Sequence, residues 1–358
     1  MIPVCLMSAR RSIIAPRGGA LSGLEPHDIA APVIHACLAD AGIGVEDVDE
    51  LIVSNALGAG GNPARMAALA AGLPQRVAGL SVDRQCVGGL DALLIGHAMI
   101  ASGQARVVIA GGVESYSNRP YRARTIGGEQ IPYDRPPFAP NPEQDPDLAV
   151  AADELAQDMG ISRDLQDAFT AQSHAKALAA QDRLQQEIVG GAPDPFARQM
   201  SDRLLARAPV IAGTVTHANT APAADGAAFV VLSAGTDGVR IRGGVTMGAD
   251  PARPAYTPVP AALAAMDKAG VTTSDLTQAE VMEAYAAQAI ACQIGIGLSP
   301  DIMNRNGGAL ARGHPIGASG AVLAVRLSHD LMRDGGMGLA CIAGAGGLGT
   351  GLILSRND

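Results

Sequence analysis

Residues 27–54 have the sequence HDIAAPVIHACLADAGIGVEDVDELIVS, and the same order of features returns at residues 259–282 as VPAALAAMDKAGVTTSDLTQAEVM. In each copy an amphipathic helix pattern ends at an Ala-Gly break, a short acidic turn follows, and an apolar run typical of a buried strand closes the segment. The two copies are 228 residues apart. Self-similarity over this length predicts two related αβ halves within one chain.

The same register continues beyond both copies. Cys86 lies thirty-two residues after Ser54, and His314 lies thirty-two residues after Met282. Each opens a Gly-rich turn and an apolar helix (CVGGLDALLIGHAMIA and HPIGASGAVLAVRL), and a strand pattern ending in glycine follows (RVVIAGG and LACIAGAGG). Helices alternating with short strands predict helices packed on a mostly parallel sheet. Because pseudo-symmetric halves bring equivalent turns together, Cys86 and His314 are predicted to meet.

Residues 119–209 differ in composition from both halves. The stretch begins with RPYRARTIGGEQIPYDRPPFAPNPEQDPD, which is rich in Pro and charge and is predicted to be a loop. Helices are predicted at about 148–160 and after Ser162, a residue suited to an N-cap. We interpret this insert as a lid over the first half. The predicted domains are an N-terminal half (1–118, completed by about 210–236), the insert (119–209) and a C-terminal half (237–358).

Composition narrows the classes of function. The chain has 358 residues, of which 48% are hydrophobic and 17% charged, with a net charge of −9, so it is long enough for two packed units and is not expected to be disordered. An acidic chain without a basic stripe argues against a nucleic-acid partner. No apolar run approaches the length of a membrane helix, and the first residues lack the apolar core of a signal peptide. Five cysteines in such a chain favour reduced thiols in the cytoplasm.

Three residues are candidates for chemistry. Cys86 precedes a helix, where the helix dipole and free N–H groups are expected to lower the thiol pKa, although a buried core cysteine is the alternative. His314 lies in a turn that glycines and Pro315 hold tightly, so backbone geometry positions it. Cys341 ends a strand, and it is either strand core or a residue that the following glycines bring close to a ligand. The remaining cysteines, at positions 5, 37 and 292, fit apolar patterns and are predicted to be structural.

Four segments, DRQCVGG, AGGVESYS, NGGALARGHPIGASGA and CIAGAGG, together resemble the thiolases, the enzymes that make or cleave 3-ketoacyl-CoA. GNPARMAA from Gly61 and GTVTHANTAPAADGAA from Gly213 resemble two further family segments. GHPIGASG distinguishes thiolases from ketoacyl synthases, which share the fold but have a second histidine where Cys341 stands. The resemblance implies a layered αβαβα fold, a CoA thioester substrate, no permanently bound cofactor or metal, and a homodimer or homotetramer.

The resemblance also implies roles for individual residues. Cys86 resembles the nucleophile that accepts the acyl group, and His314 resembles its base and a member of a first oxyanion hole. Cys341 resembles the acid/base that moves the substrate Cα proton. Backbone N–H groups of Cys86 and of the turn near Ala343 and Gly344 would form the second oxyanion hole. Substrate contacts are expected at Gly88, Asn219, Ala221 and Ser319. Independently of the resemblance, the insert of this acidic chain carries the cations available for the phosphates of CoA, although solvated surface charges are the alternative: Arg119, Arg122, Arg124, Arg203 and Arg207.

The chain departs from the family pattern at several positions. Thiolases usually have Asn-Glu-Ala-Phe-Ala where residues 282–286 are Met-Glu-Ala-Tyr-Ala. That Asn holds the water of the first oxyanion hole, and Met282 has no donor with which to replace it, so slow carbon–carbon chemistry is expected unless Glu283 or Tyr285 supplies one. The serine usual at Gly88 is absent, as is the serine usual at Ala221. The stretch between residues 191 and 213, where thiolases help to hold CoA, is short.

Three functions fit these observations. The first is a thiolase-type acyltransferase that acts on CoA thioesters through an acyl group on Cys86. The second is a related acyltransferase that uses another acyl carrier or a partner subunit. The third is a catalytically quiet thiolase-fold subunit that organises a partner. Retention of Cys86, His314 and Cys341 together favours an enzyme.

Overall fold

The computed structural model describes residues 2–58 and 60–356. Its strands are β1 Val4–Arg11, β2 Ala15–Pro16, β3 Glu50–Ser54, β4 Leu80–Val82, β5 Val107–Glu114, β6 Ala123–Ile126, β7 Glu129–Pro132, β8 Val210–Ala212, β9 Val215–Thr216, β10 Ala224–Ala234, β11 Val239–Gly248, β12 Gln278–Val281, β13 Gly336–Gly344 and β14 Leu348–Arg356. Its α-helices are α1 Pro26–Ala41, α2 Pro63–Ala70, α3 Gly88–Ala101, α4 Leu148–Asp158, α5 Arg163–Ala179, α6 Gln181–Gln185, α7 Asp202–Ala206, α8 Pro258–Ala269, α9 Ala286–Ile296, α10 Ala309–Arg312 and α11 Ile316–Asp334. None of the helices in these residues is long and apolar enough to cross a membrane.

The strands repeat one arrangement in the two halves. Their order is β1–β10–β5–β3–β4 in the first half and β11–β14–β13–β12 in the second. In both, the outer strands pair in parallel (β4 with β3 and β3 with β5 in the first half, β12 with β13 in the second), and the next neighbours are antiparallel. The predicted duplication is therefore confirmed. The prediction of a mostly parallel sheet is wrong: residues 345–347, for example, join β13 to β14, and so short a connection permits only antiparallel pairing.

Helices and strands alternate in five layers. Helices α1 and α2 pack with strands of the first half, and α8 and α9 pack with strands of the second. Helices α3 and α11 lie between the halves, where α3 contacts β3, β5 and β10 and α11 contacts strands of both. Side chains of β10 alternate accordingly: Val230 faces the central helices, and Phe229 faces α1. This is the predicted αβαβα arrangement.

Two glycines let the central helices touch. A Cβ atom on Gly89 of α3 would lie 2.4 Å from the nitrogen of Ala321, and one on Gly320 of α11 would lie 2.5 Å from the nitrogen of Leu90. No larger side chain fits at either position without moving the backbone. The close crossing brings the amino-terminal ends of α3 and α11 together, and Cys86 and His314 stand at those ends.

The insert, residues 119–209, contains α4 to α7 and a short hairpin. The two predicted helices are confirmed as α4 and α5, and the Ser162 hydroxyl accepts the hydrogen bond of the Leu165 N–H, as expected for an N-cap. The start of the insert is not all loop, because β6 and β7 pair there in antiparallel fashion. Gly127 and Gly128, with φ of 60° and 89°, form the two-residue turn between them.

Candidate active site

Cys86 stands on a sharp turn between β4 and α3. Gln85, directly before it, has φ of 52°, a left-handed conformation that is uncommon for a residue other than glycine. The side chain of Asp83 accepts a hydrogen bond from the Gln85 N–H and holds the turn. Because α3 begins at Gly88, the turn presents the Cys86 sulfur at the start of that helix. Such backbone strain is typical of functional sites.

His314 occupies the matching place before α11. Its N–H donates to the carbonyl of Pro222 at 2.8 Å. Gly313, with φ of 116°, supplies a backbone conformation that other residues adopt only under strain. The carboxylate of Glu114, at the end of β5, accepts a hydrogen bond from the Gly317 N–H at 3.0 Å. A strand of the first half therefore holds the start of α11 and the histidine next to it.

The two turns bring a thiol and an imidazole into contact. Cys86 Sγ lies 3.2 Å from His314 Nε2, and Ser319 Oγ lies 2.6 Å from His314 Nδ1. The Ser319 hydroxyl donates its hydrogen to the carbonyl of Pro315, so it accepts from Nδ1–H. Nε2 then carries no hydrogen and can accept the thiol proton. This is the tautomer that a base requires. The meeting of Cys86 and His314 is as predicted, whereas Ser319 orients the imidazole and does not line the cavity described below.

Both members of the pair are neutral in the folded protein. Burial raises the pKa of the Cys86 thiol to about 12, although the backbone N–H groups of Cys86 itself and of Ala345 oppose the rise. Burial also lowers the pKa of His314 to about 4. The expected low thiol pKa is therefore wrong, because the loss of water around the sulfur outweighs the helix start. Besides the amide of Cys86, the amide at the sulfur is that of Ala345, directly after the predicted Ala343 and Gly344.

Cys86 and His314 form part of the wall of a mostly apolar cavity of about 120 Å³. Leu148 of α4 contributes to it from the insert. Of the predicted residues, Ala221, Ala343 and Gly344 also line the wall. Two residues with hydroxyl groups, Thr220 and Tyr285, lie on the same wall. Thr220 was not predicted, although a hydroxyl directly before Ala221 was a signal that could have identified it.

Cys341 and Met282 lie behind the cavity wall. The Cys341 side chain is completely buried in the core of the second half, and burial, together with nearby Cys292, raises its thiol pKa. Met282, 2% exposed, packs among the apolar side chains between the halves, and its N–H donates to the Cys341 carbonyl at 3.0 Å. Met282 thus gives the cavity no side-chain hydrogen-bond donor.

Gly88 and Asn219, which were predicted to contact the substrate, instead contact other parts of the protein. A Cβ on Gly88 would lie 2.3 Å from Ser54 Oγ, so the serine usual at that position has no room and the Ser54 hydroxyl occupies its place. Asn219 is completely buried: its amide donates to the carbonyl of Thr214 at 3.2 Å and accepts from the Thr216 N–H at 2.7 Å. Asn219 therefore fixes the loop that carries the cavity wall and does not face the cavity.

The predicted arginines lie outside the cavity, on a surface of the insert. Arg119 stacks on the Tyr116 ring, and Arg122 Nη2 donates to the carbonyl of Ala56 at 3.1 Å. Arg124 stacks on the ring of Tyr133, and Tyr133 lines two surface grooves. Arg135, which was not predicted, lines one of these grooves. We refer to the four, Arg119, Arg122, Arg124 and Arg135, as the arginine surface.

Comparison with known proteins agrees with this architecture. The family model for the thiolase N-terminal domain matches residues 4–236, and the model for the thiolase C-terminal domain matches residues 236–356. The chain belongs to the thiolase family. It is a thiolase-type acyltransferase, as its resemblance in sequence predicted.

Relatives cover the chain from end to end. It is 35% identical to the acetyl-CoA acetyltransferase of Cupriavidus necator (99% of this chain, 100% of the relative) and 36% identical to the putative acetyl-CoA C-acetyltransferase YhfS of Bacillus subtilis (97% and 98%). Among solved structures, the Bacillus anthracis acetyl-CoA acetyltransferase superimposes with a TM-score of 0.93 at 29% identity (100% of this chain, 99% of that one). Human mitochondrial 3-ketoacyl-CoA thiolase in complex with CoA has a TM-score of 0.92 at 29% identity (100% and 98%).

Proposed function

We propose that this thiolase forms or cleaves a 3-ketoacyl-CoA through an acyl thioester on Cys86. The observation that carries the proposal is the 3.2 Å contact between Cys86 Sγ and His314 Nε2 on the wall of an apolar cavity. Relatives named as acetyl-CoA acetyltransferases and a similar structure that contains CoA support CoA as the acyl carrier.

In the cleavage direction, His314 accepts the Cys86 thiol proton as the sulfur attacks the C3 carbonyl carbon of the substrate. The tetrahedral oxygen forms near the backbone N–H groups of Cys86 and Ala345. Its collapse breaks the C2–C3 bond, leaves the acyl group on sulfur and moves the electron pair into an enolate of the departing thioester. Protonation at C2 releases acetyl-CoA. The thiol of a second CoA then attacks the acyl carbonyl carbon and gives its proton to the group that protonated C2. Protonated His314 returns its proton to the Cys86 sulfur as the acyl group leaves that sulfur.

Cys341 is proposed as the acid that protonates C2. Two observations support it: burial keeps its thiol protonated at neutral pH, and it lies two residues before Ala343, which lines the cavity. In the synthetic direction Cys341 would first give its proton to the CoA thiolate that is released when Cys86 is acylated. The Cys341 thiolate would then remove the C2 proton of the second acetyl-CoA and become a thiol again, so a single group serves both directions.

Mass spectrometry after incubation with acetyl-CoA tests the proposed function. The peptide that contains Cys86 should gain one acetyl group, and CoA added afterwards should remove it. Cys86→Ala should give no adduct, whereas Cys37→Ala, which changes a buried structural thiol, should behave as the wild type. Absence of any adduct on the wild-type protein would overturn the proposal in favour of another acyl carrier or a catalytically quiet subunit.

The arginine surface is proposed to hold the phosphates of CoA. Its cations lie on the insert that supplies Leu148 to the cavity, and Arg135 is close enough to Tyr285 to affect the pKa of that hydroxyl. Reversing the charge of Arg124 and Arg135 together is expected to raise KM for acetyl-CoA about tenfold with little change in kcat, because such contacts bind substrate and transition state equally. An unchanged KM would place the phosphates elsewhere.

We also propose a homodimer or homotetramer in the cytoplasm. Strand β4 lies at the edge of its sheet, and Leu80 on it is exposed near the exposed side chains of Met66 and Leu69 on α2. A second copy would cover these apolar groups. Sedimentation at micromolar concentration should therefore show no stable monomer. The five unpaired cysteines support a reducing compartment.

A further inference from the structure

Two hydroxyls on the cavity wall are not used by the mechanism above. Thr220 and Tyr285 face each other across an isolated antiparallel bridge, and both line the cavity that contains Cys86 and His314. Within the described residues, the buried Thr220 Oγ1 has no hydrogen-bond partner. A buried hydroxyl without a partner is costly to the fold, so its retention on a cavity wall points to a ligand.

Gln288, the remaining polar side chain on this wall, already makes hydrogen bonds within the protein. Gln288 Oε1 accepts from the Ala284 N–H at 3.1 Å, and its Nε2 donates to Cys292 Sγ at 3.2 Å. Gln288 therefore braces helix α9 and is not poised to bind the substrate.

Tyr285 is held as a donor. Its ring packs with the alanines of α4 at positions 149 and 152. Burial first, then the nearby Asp147 and Cys86, raises the pKa of its hydroxyl. The hydroxyl therefore keeps its proton throughout the working range of pH and can donate a hydrogen bond into the cavity.

Cleavage of a 3-ketoacyl thioester develops negative charge on two oxygens. The tetrahedral oxygen on the Cys86 side has the backbone N–H groups of Cys86 and Ala345. The enolate oxygen of the departing thioester has protonated His314, and Met282 offers it nothing. A second donor is needed there, since developing charge in a water-poor cavity is stabilised by fixed donors aimed at it.

We propose that the Tyr285 hydroxyl, with Thr220 beside it, donates the hydrogen bond to the thioester oxygen that becomes the enolate. The proposal rests on acyl transfer to Cys86 as described above. It makes Tyr285 a catalytic residue for the carbon–carbon step alone, because acylation of Cys86 by acetyl-CoA forms no enolate. The same donor serves synthesis, in which an enolate attacks the acyl group on sulfur.

Tyr285→Phe tests the proposal, since it removes one oxygen and leaves the ring packing in place. We expect kcat for acetoacetyl-CoA thiolysis to fall about 10²-fold, with KM and the acylation burst from acetyl-CoA unchanged. Thr220→Val should lower the same kcat by a smaller factor. Tyr256→Phe changes a tyrosine that does not line this cavity and should match the wild type in every measurement.

Two results would overturn the role of Tyr285, and a third would overturn the proposed function on which that role rests. Wild-type thiolysis by Tyr285→Phe would overturn it. An equal fall of burst rate and kcat would also overturn it, because the hydroxyl would then serve acylation or the fold. A wild-type enzyme without any burst would show instead that the proposed function itself fails, and the role of Tyr285 would fall with it.

Discussion

Replacing His314 with glutamine is expected to lower the rate of Cys86 acylation by acetyl-CoA about 10³-fold, within the range that a general base contributes. The reason is that Cys86 and His314 are both uncharged before the attack. Burial raises the pKa of Cys86 to about 12 and lowers that of His314 to about 4, so the thiol is protonated and the imidazole is free at neutral pH. The proton must therefore leave during the attack, and His314 Nε2, 3.2 Å from the sulfur, is the group in contact with it.

The pH dependence of acylation should change with the same substitution. In the wild type the rate should be flat through neutrality and fall as the pH drops through about 4, where His314 becomes protonated and no longer accepts a proton. In His314→Gln the thiolate must form by loss of the proton to solvent. Because the thiol pKa is about 12, its rate should rise about tenfold per pH unit between about 7 and 10.

Rapid-quench mass spectrometry of the acetylated Cys86 peptide measures both effects. His329→Gln is the matched control: His329 is also largely buried, but its Nε2 contacts the carbonyl of Ala9, away from the cavity. That variant should acylate at the wild-type rate. A flat pH profile in His314→Gln would contradict the assignment of His314 as the base.

The duplicated architecture could be predicted because it depends on local patterns. Helix, glycine break and strand recur at residues 27–54 and 259–282, and the structure places α1 with β3 and α8 with β12 there. The contact of Cys86 with His314 followed from that symmetry, since both stand thirty-two residues beyond the ends of the two repeated segments. Periodicity does not report strand direction, however, and β10 and β14 run antiparallel to their neighbours.

Chemical properties of the site were harder to predict because they depend on tertiary surroundings. The thiol pKa of Cys86 is governed by burial, which the sequence pattern DRQCVGG does not reveal. The partner of Ser319 is the His314 ring five residues earlier, a matter of side-chain direction. Thr220 and Tyr285 are neighbours only because the loop after β9 bridges the start of α9.

Glu187 joins the insert to both halves through buried ion pairs. Its carboxylate contacts Arg11 of β1 and Arg326 of α11, and all three side chains are at most 1% exposed. Arg11 also binds Asp194, and Arg326 binds Asp330. Paired guanidinium groups at this depth are tolerated because carboxylates surround them. Removing the central carboxylate would leave two buried positive charges facing each other with reduced compensation.

Glu187→Gln is therefore expected to lower the free energy of unfolding by about 3–5 kcal/mol at neutral pH. The two arginines hold the pKa of Glu187 at about 2, below its ordinary value of 4.5, so the stabilisation is complete above about pH 4.5 and is lost as the pH falls through about 2. The difference between wild type and variant should shrink over that window in denaturant unfolding. Glu46→Gln, which alters an exposed pair with Arg76 at 3.7 Å, should cost less than about 0.5 kcal/mol. Equal losses in the two variants would show that burial of the Glu187 pairs does not determine their contribution.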